Sequence, residues 1–381
     1  MDKKLSICDK FNGLAKANGF RTVERGNLLA KYLDDDKAMF NYSGAHMHLV
    51  PALFNPTPLE KDKIAVIDQC IRASDIGVLG VSPSHLLSFT MAVYGAFGHM
   101  PDKKQERNFH LQNMIEFLDA CGIDRDTLRF SVSAGGQFLD RQMPADKDSL
   151  EALLSLGIKP EQIVANKGRT NFMLSQGMVT SGMARPSGYN IEIYKDHKGK
   201  LIEVASSNIY DYLGKDGKLH DITNTGIGVG FGIERLDYVT RNLDSVYQTE
   251  FYDTIKDEIA KSLGMNNTAV RMFLDKIHRI TEVGKTITLA INDGQEINEV
   301  GKNKTPRGKM LRSYLAKTAS ELSYMDIDPE KFIEILKPEM TKKYADPVYN
   351  VSIDDQAYNI FGSALKDEYN KKLGRSCCLE R

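Results

Sequence analysis

The segment TGIGVGFGIERLDY, residues 225–238, decides how the rest of the chain is interpreted. Glycine occupies every second position from Gly226 to Gly232, and the charged pair Glu234-Arg235 follows at once. Successive side chains of a strand point to opposite faces, so alternating glycines leave one face bare. A flat ligand or a phosphate chain can then lie against the backbone, with Arg235 at the start of a helix on the same rim. The alternative is a glycine-rich strand packed against a helix, with Arg235 in a surface ion pair.

A second arginine lies in a similar setting. Residues 64–73 have the pattern of a buried strand that ends in an arginine, Arg72. Residues 84–98 have the pattern of a return strand, and they carry His85 and Phe89. Burying an unpartnered guanidinium is costly, so an arginine at a strand end indicates an anionic ligand. The two arginines and the aromatic ring predict a nucleotide pocket, with the arginines on phosphates and the ring on the base.

The remaining pattern predicts an α+β domain followed by an all-helical domain. Helical periodicity covers residues 3–19 and 104–121, and alternation predicts a hairpin of residues 189–196 and 201–213. Beyond residue 245 strand patterns largely end, and long helical patterns such as residues 269–291 take over. We therefore expect one domain at 1–245 and a second at 246–381.

The composition is that of a globular protein without a global charge bias. The chain has 381 residues, 41% of them hydrophobic, and a formal net charge of −1. Any nucleic-acid binding must therefore come from a local basic patch. We expect no membrane span and no signal peptide, because neither a long apolar run nor an apolar signal core is present. His46 and His48 have no evident third metal ligand, and we expect a cytoplasmic protein with five free thiols: Cys8, Cys70, Cys121, Cys377 and Cys378.

The order of these motifs resembles that of class II aminoacyl-tRNA synthetases. An arginine that ends one strand, His-x-x-x-Phe on the return strand, and GxGxGxER resemble motifs 2 and 3 of that class. The resemblance implies an antiparallel sheet flanked by helices. It implies that Arg72 contacts the α-phosphate of ATP and the amino-acid carboxylate, while Arg235 contacts the γ-phosphate and packs on adenine. The other ATP-binding residues would be His85 near the phosphates, Phe89 on adenine, Gly230 and Gly232.

The alanyl type is the most similar within the class. The segments at 70–98 and 185–196 resemble its motif 2 and its Glu-Ile-aromatic segment, and residues 277–294 and 305–319 resemble its helical tRNA-recognition domain. Motif 3 also resembles that of the pyrrolysyl and phenylalanyl types. We expect no editing domain and no C-terminal domain.

Two positions depart from the alanyl pattern. Gly228 stands where that family has an aspartate for the substrate's amino group, and Thr90 stands where it has a glutamate. An ammonium group without its carboxylate loses a charge-assisted hydrogen bond. Asn224 or Asp221 are the nearby polar residues that offer compensation.

The chemistry that the resemblance implies is formation of an aminoacyl-adenylate. Arg72 and Arg235 would act as the catalytic cations, and Mg²⁺ would accompany ATP, with Glu203 as its carboxylate ligand. The alternative for Glu203 is a solvated strand glutamate. Glu192 and Asn208 would line the amino-acid pocket, although Asn208 also suits a hairpin end.

The acceptor of the amino acid would be a tRNA. Residues 301–325 hold six basic residues against one acidic residue, which favours contact with a phosphate backbone over a merely solvated helix face. The predicted RNA-binding residues are Asn298, Arg307, Lys309 and Arg312. Two alternatives stay open: an activating ligase of the same fold that transfers to a carrier protein or small molecule, and a non-catalytic RNA-binding paralogue.

Overall fold

The structure is a computed structural model, and it describes residues 6–29, 40, 52–168, 170–174, 184–297, 306–346, 349 and 351–379. The chain divides into two compact units. The first unit comprises Met1–Gly26, Ser43–Asp68 and Thr90–Asn242, and the second comprises Asn27–Tyr42, Gln69–Phe89 and Leu243–Arg381. The functional boundary at residue 245 stays a prediction.

A large mixed sheet organises the first part of the chain. In the described part of the chain, nine strands form this sheet: β1 (Arg21–Thr22), β2 (Asp62–Ile71), β3 (Ser88–Gly98), β4 (Leu128–Ser133), β7 (Ile163–Asn166), β8 (Phe172–Met173), β9 (Arg185–His197), β10 (Lys200–Lys215) and β11 (Lys218–Gly232). The strands β5 (Gly136–Phe138) and β6 (Arg141–Met143) form a separate hairpin. The strand order is β1-β2-β3-β11-β10-β9-β4-β7, and β8 pairs with β9. The pairs β3–β11, β11–β10, β10–β9 and β9–β4 are antiparallel, which confirms the predicted fold class. The sequence did not predict the parallel pairs β1–β2 and β4–β7.

Helices cover the apolar face of this sheet. They are α1 (Ile7–Ala17), α2 (Lys103–Ala120), α3 (Lys147–Ser155) and α4 (Ile233–Thr240). Phe231 of β11 meets Phe117 of α2 edge-on, with 4.5 Å between ring centroids, and Phe11 of α1 contacts both rings. Ile227, Val229 and Phe231 therefore face the core, and the alternating glycines face the other side.

The second unit is helical after residue 243. Its helices are α5 (Glu250–Ser262), α6 (Asn267–Asn292), α7 (Pro306–Tyr324), α8 (Pro329–Tyr344) and α9 (Asp355–Leu379). In α6 all residues from Ile280 to Ile291 are buried, on every face of the helix, so this helix forms the centre of the unit. None of the described helices is long and apolar enough to span a membrane.

Several local predictions are tested directly. The hairpin is confirmed as β9 and β10, and α6 begins two residues before the predicted helix. The return strand begins at Ser88 rather than at residue 84, because the preceding residues form a loop. Cys8, Cys70 and Cys121 form no disulfide, as predicted, and all three are buried, which was not predicted. The predictions for His46, His48, Asn298, Lys302 and Lys304, and for the side chains of Cys377 and Cys378, fall outside the described residues.

Candidate active site

The glycine face of β11 is only partly bare. A Cβ atom on Gly226 would lie 2.6 Å from the Phe97 ring, which stacks with Tyr210 over this end of the strand. A Cβ on Gly228 would lie 3.5 Å from Tyr210, which is ordinary van der Waals contact. A Cβ on Gly230 would lie 2.8 Å from the terminal methyl group of Met91, so the open part of the face lies at Gly228. The prediction of one continuous bare face is wrong at Gly226 and at Gly230.

Polar side chains continue the row of Gly228 across the sheet. Directly opposed residues share a face, and the register places Gly95, Gly228, Asn208 and Asn190 side by side on four strands. Asn208 lies inside β10, so the interpretation as a hairpin end is wrong. The row therefore has a glycine floor at one end and two amide side chains at the other.

The next row is also polar. Gly230 of β11 opposes Ser206 of β10, Ser206 opposes Glu192 of β9, and Glu192 opposes Ser131 of β4. This surface, here called the polar face, thus contains the predicted residues Glu192, Asn208, Gly228 and Gly230. Its shape suits a polar ligand that lies across several strands.

Helix α4 begins at the end of β11 and carries both charged residues of the motif. Arg235 Nη1 donates to a carboxylate oxygen of Glu203 at 2.9 Å, and the Arg235 side chain is 20% exposed. Gly232 contacts the aliphatic part of Arg235, since a Cβ there would lie 3.7 Å from its Cβ. The structure therefore brings the predicted phosphate arginine and the predicted magnesium ligand together as an ion pair.

Glu234 holds the neighbouring strand rather than a ligand. Its two carboxylate oxygens accept hydrogen bonds of 2.9 Å from the backbone N–H and the hydroxyl of Thr90. Thr90 is fully buried. A glutamate at position 90 would place a second carboxylate against Glu234, whereas the threonine supplies two hydrogen-bond donors.

Glu192 is a half-buried carboxylate on the polar face. Burial raises its pKa and the nearby Glu203 adds to the rise, while hydrogen bonds from the Tyr194 hydroxyl and the Asn190 side chain oppose it. A carboxylate in this state gains from any cation that approaches it. The side chain is thus chemically suited to bind a cationic group of a substrate.

The two residues proposed to compensate for Gly228 are engaged elsewhere. The Asn224 side chain accepts from the Leu59 N–H and donates to the carbonyls of Asn55 and Thr57, so its amide is fully used. Asp221 forms a bidentate pair with Arg141 at 2.8 and 3.2 Å. Neither supplies a free carboxylate or carbonyl to the polar face.

The other residues predicted to bind the nucleotide, Arg72, His85 and Phe89, lie in the second unit. The Arg72 guanidinium lies 5.1 Å from the centroid of the Phe89 ring, a cation–π contact. Arg72 directly follows β2, and its N–H donates to the Leu87 carbonyl at 2.9 Å. His85 Nδ1 lies 2.5 Å from Ser82 Oγ in the intervening loop. All three residues lie in one unit, from the end of β2 to the start of β3, and their roles at a nucleotide stay predictions.

A buried ionic cluster that the sequence analysis missed holds this loop. Glu282 of α6 accepts from the N–H groups of Leu87 and Ser88 at 3.1 and 2.9 Å, and from the Tyr252 hydroxyl. Lys285 donates to Glu282 at 2.9 Å, to the Ser88 carbonyl at 2.9 Å and to Tyr252 at 3.0 Å. Both charged side chains are fully buried. The cluster, here called the α6 clamp, fixes the start of β3 beside Phe89.

The donor set limits how a metal ion can bind. The described residues contain no group of three or more His, Cys, Asp or Glu side chains that could hold an ion by themselves. Mg²⁺ typically uses one or two carboxylates together with substrate phosphates. Glu203 fits that mode, in which the ion is bound jointly by one carboxylate and the nucleotide.

The predicted RNA-binding residues lie along α7. Lys309 and Lys317 are exposed and lie on one stripe of the helix. Arg307 and Arg312 are half-buried, and each already interacts with a neighbouring group. The two lysines are therefore the more accessible phosphate contacts.

The charged groups around α7 indicate which surface of this unit could bind a phosphate. Glu321, the acidic residue of the segment, pairs with Arg279 of α6 rather than with a lysine of α7. A cleft of about 440 Å³ in the same unit is lined by acidic and amide side chains, among them Glu296 and Asp354. That lining does not suit a phosphate, so the lysine stripe is the candidate phosphate surface.

The family of the protein follows from comparison over nearly its whole length. The chain belongs to the class II (A) tRNA synthetases, whose family model matches residues 7–370. The alanine–tRNA ligase of Treponema denticola is 24% identical over 305 residues, which are 73% of this chain and 48% of the relative. That of Leptospira biflexa is 23% identical over 376 residues, 92% and 37% of the two chains. This chain thus spans about half the length of such relatives, or less.

Two solved structures match this chain at low similarity. Histidyl-tRNA synthetase of S. aureus is 13% identical with a TM-score of 0.40, over 71% of this chain and 82% of that chain. Pyrrolysyl-tRNA synthetase of Desulfitobacterium hafniense is 16% identical with a TM-score of 0.35, over 64% and 71%.

Proposed function

We propose that this protein is a ligase that activates an amino acid with ATP as the aminoacyl-adenylate and transfers it to a tRNA. The observation that carries the proposal is Arg235, held by Glu203 beside the open part of the glycine face, in a chain of this family. A carboxylate oxygen of the amino acid attacks the α-phosphorus, and the bond from that phosphorus to the pyrophosphate oxygen breaks. Positioning and charge neutralisation suffice for this step.

Each cation has a defined part in that reaction. Arg235 binds the γ-phosphate, and its ion pair with Glu203 holds the guanidinium in place before the nucleotide arrives. Arg72 neutralises the α-phosphate, and its contact with Phe89 limits the orientations of the guanidinium. A Mg²⁺ ion bound with ATP would add charge neutralisation at the pyrophosphate, with Glu203 as its protein ligand.

The test is ATP–pyrophosphate exchange with each amino acid in turn. Exchange driven by one amino acid supports the proposal and identifies the substrate. Arg235→Ala should lower exchange roughly 10²–10³-fold, the usual cost of one transition-state donor. Arg241→Ala is the matched control, since Arg241 lies at the other end of the same helix in an exposed pair with Asp237. Equal effects of the two substitutions would contradict the role of Arg235.

The acceptor step has its own test on the lysine stripe of α7. Lys309→Ser with Lys317→Ser should weaken tRNA binding and reduce the slope of log K against log salt, by roughly 0.7–0.9 for each lost phosphate contact. Lys331→Ser, an exposed lysine of α8, is the control. Exchange without tRNA charging would favour the alternative acceptor, a carrier protein or a small amine.

A further inference from the structure

The acidic residues near position 228 are already engaged with other groups. On the described parts of β10, β11 and α4, carboxylates pair with cations or with hydrogen-bond donors of the protein: Glu203 with Arg235, Asp211 with Lys103, Asp221 with Arg141, Glu234 with Thr90, and Asp237 with Arg241. Glu192 on β9 differs, because its partners are the neutral Tyr194 hydroxyl and Asn190 side chain. Glu192 is therefore a half-buried carboxylate with no cationic partner among the described residues.

Asn190 lies beside Glu192 on the polar face, two residues earlier on the same strand. Its side chain lowers the pKa of the Glu192 carboxyl, and the residue is only 9% exposed. The other end of its amide, Oδ1, is buried and has no hydrogen-bond partner within the described part of the chain. Leaving a buried acceptor unpaired is costly, so this oxygen indicates a donor that arrives with a ligand.

We propose that Glu192 and Asn190 bind an ammonium group of the substrate, an inference that rests on the proposed function. An ammonium carries three donors and one positive charge, which match one carboxylate and one amide oxygen. The site lies two strands from β11, roughly 10 Å from position 228 at the usual strand spacing.

The floor between the two positions supports this placement. Gly228 and Gly95 leave their end of the row without side chains, and Asn208 stands between them and Asn190. A substrate can therefore lie across the sheet with its amine at β9. The ligand class is an amino acid, whether the amine that binds Glu192 is its α-ammonium or a side-chain ammonium.

The test measures binding and does not depend on turnover. Alanine, β-alanine, 2,4-diaminobutyrate and ornithine, each with its deaminated acid, are titrated calorimetrically into the full chain with a non-hydrolysable ATP analogue. Glu192→Gln and Asn190→Leu should each weaken an amine-bearing ligand at least tenfold and leave the deaminated acids unchanged. Asp211→Asn, which removes a carboxylate from the same sheet, should change neither. Circular dichroism verifies that each variant is folded.

The outcomes distinguish an α-ammonium from a side-chain ammonium. They also distinguish failure of the ammonium site from failure of the proposed function. Dependence on Glu192 for alanine assigns the α-ammonium, and dependence for the diamino acids alone assigns the side-chain ammonium. Equal loss for amines and deaminated acids, no loss, or no binding of any amine to the wild-type protein overturns the inference. Exchange that persists in that case leaves the proposed function standing. Amine binding that depends on Glu192 without any exchange overturns the activity and not the site.

Discussion

Removal of the cation from the α6 clamp should strongly destabilise the second unit. In Lys285→Met the aliphatic chain is kept, but Glu282 loses its 2.9 Å ion pair and the Ser88 carbonyl loses its 2.9 Å donor. Breaking a buried pair from one side typically costs 3–5 kcal/mol. Glu282 keeps three other donors, from Leu87, Ser88 and Tyr252, so we expect about 3 kcal/mol, the lower end of that range.

The assay is urea unfolding followed by far-UV circular dichroism, because the chain has no tryptophan. The matched control is Lys331→Met, which breaks an ion pair with Glu334 at the same i,i+3 spacing but with side chains 51% and 67% exposed. Exposed helical pairs contribute about 0.3–0.5 kcal/mol, so the control should barely change the midpoint. Equal effects of the two substitutions would refute the reasoning.

A double-mutant cycle separates the pair from the rest of the clamp. Glu282→Gln with Lys285→Met removes both charges, and the double variant should be less destabilised than the sum of the singles by more than about 0.5 kcal/mol. Additive effects would mean that the two side chains act independently. Because the clamp fixes the loop ahead of Phe89, Lys285→Met should also raise the KM for ATP in the exchange assay.

Three further predictions concern stability. Gly226→Ala should cost about 1–3 kcal/mol, because its Cβ would lie 2.6 Å from the Phe97 ring, whereas Gly228→Ala has room and should cost less than 1 kcal/mol by urea unfolding. Thr90→Val should cost about 1–3 kcal/mol, since it removes the 2.9 Å hydroxyl bond to Glu234, and Thr90→Ser should recover most of that loss. Burial lowers the pKa of His278 to about 4, so the unfolded chain binds the extra proton between pH 6.5 and about 4. The contribution of His278 to stability is therefore complete above pH 6.5 and declines as the pH falls, and His278→Phe, which keeps a ring against Tyr247, should flatten the decline.

Each of the three stability predictions can be contradicted by a specific result. Equal costs at Gly226 and Gly228 would mean that Phe97 does not cover the strand as described. A neutral Thr90→Val would mean that Glu234 is held by other groups. An unchanged pH profile in His278→Phe would assign the acid loss of stability to other residues, of which His110, with its pKa also lowered to about 4 by burial, is the first to test.

The candidate site could be predicted where local patterns carry it. Alternation placed the hairpin of β9 and β10, and the glycine repeat with Glu234-Arg235 placed the strand-to-helix junction. Arg72 and Phe89 were grouped because they flank one loop in the sequence. The site was less predictable where packing decides, as at Gly226, which Phe97 and Tyr210 cover.

By itself, the sequence determined the class of the fold, and it selected Arg72 and Arg235 as candidate phosphate ligands, because periodicity and motif spacing are local properties. Only the tertiary structure decided which polar side chains are already hydrogen-bonded to other parts of the protein. Asn224 is engaged by Asn55, 169 residues earlier, and Glu282 by Leu87, 195 residues earlier. Such pairs depend on strand register and helix packing, which no local pattern encodes. The same long-range register placed Gly228 and Asn190 on either side of Asn208.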